Sequence, residues 1–169
     1  MATLDNLDPI LNSMATHIKG YHHDKSPEQL MMVGIHTGGV WVAKCLHQRL
    51  ALPNPLGKLN IGFYRDDFSQ LASQPTVKPS DFPVSVEDKH IILVDDVIYT
   101  GRTIKAALNE LFDYGRPASV VLAVLVKRGG RQLPIQPDVV GCAFELDMTH
   151  QVTLHGPDPL TLEICPRNE

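Results

Sequence analysis

The feature that most limits how this chain can fold is a strand–loop–helix–strand run in its second half. His90 to Val94 is a short apolar run. Thr103 to Tyr114 carries Ile104, Ala107, Leu108, Leu111 and Phe112 on one stripe, the spacing of an amphipathic helix. Gly115 and Pro117 end it. Ser119 to Val126 is Val-rich and almost continuously apolar, as a strand covered on both faces must be. Two such strands joined through a helix form a βαβ unit, and that unit implies a parallel sheet with helices against it.

The remaining segments fit around this unit. Asp5 to His22 repeats Leu7, Ile10, Leu11, Met14 and Ile18 at helical spacing, so residues 1–25 read as an N-terminal helix that Ser26-Pro27 breaks. Leu30 to Ile35 reads as a strand, His36 to Gly39 as a turn and Val40 to Leu50 as a helix. Leu59 to Tyr64 alternates like a strand. Residues 65–86 are polar and carry Pro75, Pro79 and Pro83, so they read as a long functional loop or one hiding a short hairpin. Residues 138–169 read as short strands forming a small subregion. With 169 residues and no internal repeat, a single domain is expected.

Composition narrows the function classes. Hydrophobic residues are 43% and charged residues 20%, ordinary for a globular protein. No stretch is apolar enough to cross a bilayer, and Met1 to Asn12 has neither the basic nor the apolar part of a signal peptide, so a cytoplasmic protein with no membrane partner is expected. Cys45, Cys142 and Cys165 have no metal-ligand or redox spacing. The net charge is −4, and residues 141–169 hold five of the acids but only Arg167 among the bases. A chain-wide basic footprint for nucleic acid is absent, although Lys127, Arg128 and Arg131 form a small cluster.

Between the apolar run and the helix lies Asp95-Asp96-Val97-Ile98-Tyr99-Thr100-Gly101-Arg102-Thr103. A helix N-terminus offers unpaired N–H groups and partial positive charge, Gly101 allows close backbone approach, and Thr100 and Thr103 add hydroxyls. That much is a generic phosphate cradle. It lacks the lysine of a P-loop and the glycine pattern of a dinucleotide site. Two adjacent acids beside a phosphate would repel it unless they meet something else, and ribose hydroxyls are hydrogen-bond donors to carboxylates. One acid would suffice to end a strand, and Thr103 alone could cap a helix.

At these residues the chain resembles the type I phosphoribosyltransferases. More narrowly, it resembles their pyrimidine-operon-regulator branch, whose members are also uracil phosphoribosyltransferases. Gly34 to Val40, Phe63 to Ser69, Tyr114 to Ser119 and Leu125 to Ile135 carry the resemblance further. It implies an α/β fold with a central, mostly parallel sheet flanked by helices and a small C-terminal hood over 138–169. It implies that Asp95 and Asp96, with Val97 beside them, meet the ribose of 5-phosphoribosyl-1-pyrophosphate (PRPP), directly or near Mg²⁺. Tyr99, Thr100, Gly101, Arg102 and Thr103 would cradle the 5′-phosphate, and Thr37 and Gly38 the pyrophosphate. Arg65 and Asp66 would stand at the root of a closing loop, with Arg65 stabilising leaving-group charge. Arg128 and Val152 would lie near the base. Position 38 is glycine where some family members carry arginine.

The expected reaction is uracil plus PRPP giving UMP and pyrophosphate, in a homo-oligomer. A nucleotide-sensing RNA-binding regulator and a purine phosphoribosyltransferase are the alternatives. RNA is disfavoured as a partner, because the first helix carries only Lys19 and no arginine precedes Arg49.

Overall fold

The computed structural model describes residues 2–62 and 80–167. Its core is a five-stranded, wholly parallel sheet built from β2 (Leu30–Ile35), β3 (Gly57–Leu59), β4 (His90–Ile98), β5 (Ser119–Arg128) and β6 (Val139–Phe144). The spatial order is β3-β2-β4-β5-β6. A second, antiparallel sheet holds β1 (Ala2–Leu4), β8 (Thr161–Pro166) and β7 (His150–His155), in that order.

Strand alternation sorts the apolar runs onto two faces. Met32, Ile92, Val94, Ala123 and Leu125 face helices α1 (Asp8–Tyr21) and α2 (Gly38–Leu50), where Leu11, Met14, Ile18, Val42 and Leu46 are buried. Met31, Val33, Ile35, Ile91, Leu93 and Val124 face α3 (Arg102–Asp113), through Ile104, Ala107 and Leu111. Removing each large aliphatic side chain from water on these faces contributes about 1.5–3 kcal/mol. This two-sided covering explains why the central strands read as continuous hydrophobic runs rather than alternating ones.

The helix boundaries have local causes. Pro9 sits in the first turn of α1, where a missing N–H costs nothing, and Asp8 adds charge favourable to the helix dipole. His47 and Arg49 lie in the last turn of α2, where cations are favoured. Arg49 also ties α2 to α1, donating to Asp8 at 2.6 Å and to Asn12 at 2.9 Å.

Three expectations are corrected. Of the strand expected over Leu59–Tyr64, Phe63 and Tyr64 lie outside the described residues, residues 60–62 are not strand, and the strand there is Gly57–Leu59, where Lys58 exchanges backbone hydrogen bonds of 2.8 and 2.7 Å with Asp81 beside it. The hood expected over 138–169 begins later, because Val139–Phe144 pairs with β5 and extends the parallel sheet. The N-terminal segment is not helical throughout: Ala2–Leu4 adds a strand to the second sheet, across from Leu162–Ile164. The last two reassignments rest on pairing between segments far apart in sequence, which local periodicity does not encode.

Met14 is fully buried between α1 and the sheet. Met14→Ala should lower the unfolding free energy by about 2–5 kcal/mol, by loss of transfer energy and the cavity left behind. Urea denaturation measures it.

Candidate active site

The chain leaves β2 towards the edge strand β3 on one side, then returns to β4 on the other. The crevice between the C-terminal ends of β2 and β4 is therefore the switch point of the sheet, where open α/β folds take their ligands. Two helix N-termini open there, α2 after β2 and α3 after β4.

The loop after β2 is His36-Thr37, with a cis peptide bond between them. Thr37 is the N-cap of α2, makes no side-chain cap hydrogen bond and is exposed, and the first turn of the helix holds no acid. Gly38 follows and lies against Asp96 of β4. A Cβ there would lie 2.3 Å from Asp96 Oδ2, and one at Gly39 would lie 2.7 Å from the Val94 carbonyl oxygen. These two glycines let the start of α2 sit directly against the end of β4.

The acids lie within β4, which runs on to Ile98 instead of ending at them as the sequence suggested. Val94 and Val97 both pack on the α1/α2 face, so strict alternation breaks at Asp95 and Asp96 between them. Asp95 is buried, at 2% exposure, and its Oδ1 accepts the Asp96 amide at 2.9 Å. Asp96 is half-buried and accepts the Val97 amide at 2.9 Å.

Beyond Ile98, Gly101 is the N-cap of α3 with φ +97°, a conformation that excludes residues with a Cβ on ordinary terms. Thr103, the cap candidate from sequence, sits inside the first turn instead. Thr100 Oγ1 accepts the Arg102 amide at 3.2 Å, and α3 also has no acid in its first turn. The loop after β5 backs this cradle. The Gln132 and Leu133 amides donate to the Thr100 carbonyl at 3.0 and 3.2 Å, and Arg102 Nη2 donates to Gln132 Oε1 at 3.2 Å.

Arg128 ends β5 and is 6% exposed. Its guanidinium lies 4.0 Å from the centre of the Tyr99 ring. Nη1 donates to the His150 carbonyl at 3.0 Å and Nη2 to the Asp147 carbonyl at 3.1 Å. The Tyr99 hydroxyl meets Met148 Sδ at 3.1 Å. The residue expected near substrate thus also latches the 147–150 loop to the cradle. Val152 is half-buried in β7 and packs against the α1/α2 core cluster. Arg65 and Asp66 lie outside the described residues.

Asp147, Met148, His150 and Gln132 were not picked out from sequence. Their partners are tens of residues away, and no spacing signals them. Burial pushes the Cys45 and Cys142 thiols up, so neither is primed as a nucleophile.

The phosphoribosyl transferase domain family matches residues 2–158, and the chain belongs to that family. It shares 55% identity over 161 residues with a protein named bifunctional protein PyrR from Nitrosococcus oceani, covering 94% of this chain and 91% of the relative. A PyrR from Pseudomonas aeruginosa is 49% identical over 161 residues, covering 95% of each. Among solved structures, a Trypanosoma cruzi hypoxanthine phosphoribosyltransferase superposes with a TM-score of 0.67 at 20% identity, over 85% of this chain and 76% of that one. A Staphylococcus aureus hypoxanthine phosphoribosyltransferase gives 0.63 at 19%, over 85% and 77%. The structural likenesses establish the type I phosphoribosyltransferase fold, with its central parallel sheet between helices.

Two predictions follow from this geometry. Gly38→Ala drives a methyl group into the Asp96 carboxylate and should weaken PRPP binding roughly ten- to hundred-fold, since small misplacements at such sites cost that much. Calorimetric titration measures the affinity, and an unchanged melting temperature separates the effect from unfolding. The second concerns pH. Hydrogen bonds from Thr149 and then His150 hold the Asp147 carboxyl down at about 2. A carboxyl lowered on folding stabilises above its ordinary pKa, and that contribution is lost as pH falls towards 2. Carbon-13 titration of Asp147 should give its midpoint near 2, and Thr149→Ala should move it back up towards the ordinary carboxylate value.

Proposed function

We propose that this chain transfers the phosphoribosyl group of PRPP to uracil, forming UMP and pyrophosphate. The observation that carries the reading is the pair of acid-free helix N-termini meeting at one switch point, with Asp95 and Asp96 between them. That arrangement suits a ligand with phosphate at both ends and a ribose in the middle. The 55% identity to a protein named PyrR supports the pyrimidine branch. The hypoxanthine enzymes share the fold at about 20% identity, which carries no argument about the base.

The roles follow from chemistry. The α3 cradle, Tyr99 to Thr103, binds the 5′-phosphate through backbone N–H groups and the Thr100 and Thr103 hydroxyls. Thr37 and Gly38 bind pyrophosphate through the start of α2. Asp95 and Asp96, with Val97 beside them, orient the ribose hydroxyls, and Asp95 is held in place by the hydrogen bond from the Asp96 amide. A nitrogen of the base displaces pyrophosphate at the anomeric carbon, so the protein needs no nucleophile of its own. It needs alignment and exclusion of water. Arg65 would stabilise charge on the departing pyrophosphate, with Asp66 next to it in sequence. Two hard-oxygen carboxylates beside an anion cradle suit Mg²⁺, which Asp95 and Asp96 would hold together with ligand oxygens and water. When bound, Mg²⁺ supplies charge neutralisation for the leaving group. Arg128 and Val152 border the base side. The cytoplasm is the compartment this chemistry fits, with PRPP and uracil as partners in a homo-oligomer.

The relatives' name denotes two functions, and we take the second to be regulation of pyrimidine genes. Arg102, Lys105, Lys127 and Arg131 are exposed near the cradle and could meet an RNA backbone.

Incubation with uracil, PRPP and Mg²⁺ should yield UMP. Asp95→Asn combined with Asp96→Asn should lower turnover by about 100-fold or more, the scale of lost charge stabilisation and alignment. Wild type that binds UMP but forms none would overturn the catalytic reading and leave a nucleotide sensor.

A further inference from the structure

Residues 147–150 lead into β7 and the second sheet. Among the described residues, the hydrogen bonds that tie this loop to the side of the parallel sheet run through two side chains. Arg128 Nη1 and Nη2 donate to the His150 and Asp147 carbonyl oxygens at 3.0 and 3.1 Å, and the Tyr99 hydroxyl meets Met148 Sδ at 3.1 Å. The other hydrogen bonds of the loop stay within it or reach the end of β8.

These two side chains also hold each other. The Arg128 guanidinium lies over the Tyr99 ring, 4.0 Å from its centre, and a Cβ on Gly130 would run into that ring, so the ring packs directly on backbone there. Arg128 is 6% exposed, and its Nε, which has no hydrogen-bond partner among the described residues, is buried as well. Little of this cation is open to a ligand, and its bonded N–H groups serve the protein's own backbone. Tyr99, by contrast, runs straight into Thr100 and Gly101 at the start of α3, where Thr100 Oγ1 accepts the Arg102 amide at 3.2 Å.

We propose that Arg128 is a positioning residue: through Tyr99 it couples binding of a sugar phosphate at Tyr99–Thr103 to the setting of residues 147–150, and it acts on the base side through that loop rather than by touching the base. The inference rests on the phosphate reading of Tyr99–Thr103 given above. A phosphate oxygen that takes the Arg102 amide displaces Thr100 Oγ1, so the backbone beside Tyr99 adjusts. The ring carries that adjustment to the stacked guanidinium. Its planar fork holds two N–H groups in fixed relation, so both carbonyls follow.

Ribose 5-phosphate tests the coupling, because it carries the phosphate and no base, so a residue that only touched the base would not respond to it. It is titrated into the full nitrogen-15-labelled chain and followed by amide shifts. In wild type, residues 99–103 and 147–150 should shift along one binding curve. Arg128→Lys keeps the charge but loses the planar fork. It should lose the response at 147–150 while 99–103 still respond, since the Gln132 and Leu133 amides continue to hold the Thr100 carbonyl. In turnover the same variant should raise the KM for uracil about ten-fold, the scale of a lost hydrogen bond from a charged group, and leave that for PRPP nearly unchanged. Tyr99→Phe keeps the ring and should keep the response at 147–150. Tyr99→Leu should lose it, and gives the answer if Arg128→Lys does not fold. Wild-type shifts at 99–103 with 147–150 unmoved, or a response at 147–150 that survives Arg128→Lys, would overturn this proposal alone. Silence at 99–103 in wild type would remove the phosphate reading and this inference with it.

Discussion

The parallel pairing of β2 with β4, Leu30 against His90 through Gly34 against Val94, governs the rest of this molecule. It joins strands sixty residues apart and leaves β3 on one side and β5 on the other. The two helices that follow β2 and β4 then begin side by side. Each first turn brings unsatisfied N–H groups, and neither brings an acid of its own. Without that pairing, each loop would be an ordinary helix start. With it, two partial positive charges face one crevice, and the carboxylates of β4 stand between them.

Close approach of backbone makes the arrangement possible. Gly38 and Gly39 bring the start of α2 against Asp96 and the Val94 carbonyl oxygen, leaving no room for a side chain. An arginine at position 38, as some family members carry, would need its Cβ where the Asp96 carboxylate now lies. In this chain, contact with the pyrophosphate would therefore come from backbone, and the cationic share would fall to residues elsewhere.

The second sheet is joined to the site through one buried cation. Arg128 stacks on Tyr99 and donates to two carbonyls of the 147–150 loop. A buried guanidinium is costly unless its N–H groups are satisfied; here two carbonyl oxygens and an aromatic face meet it without a carboxylate, while Nε has no hydrogen-bond partner among the described residues. Movement of the Tyr99 loop and of the 147–150 loop is thereby mechanically linked, because both hold the same side chain.

Much of this was legible in the chain itself. The apolar runs and helical stripes announced β2, β4, β5, α2 and α3, because each is decided by burial over a few consecutive residues. The start of α3 was legible because Thr100-Gly101-Arg102-Thr103 is local. The edge role of β6, the strand at Ala2–Leu4 and the Arg128 latch were not legible. Each depends on which distant segment lies alongside, and pairing and side-chain contact across the fold leave no periodic trace in sequence. The sequence alone determined a parallel α/β core and a glycine-led helix start after β4. Only the tertiary structure decided that two such starts meet across paired acids, since strand order is a property of packing and not of any one segment.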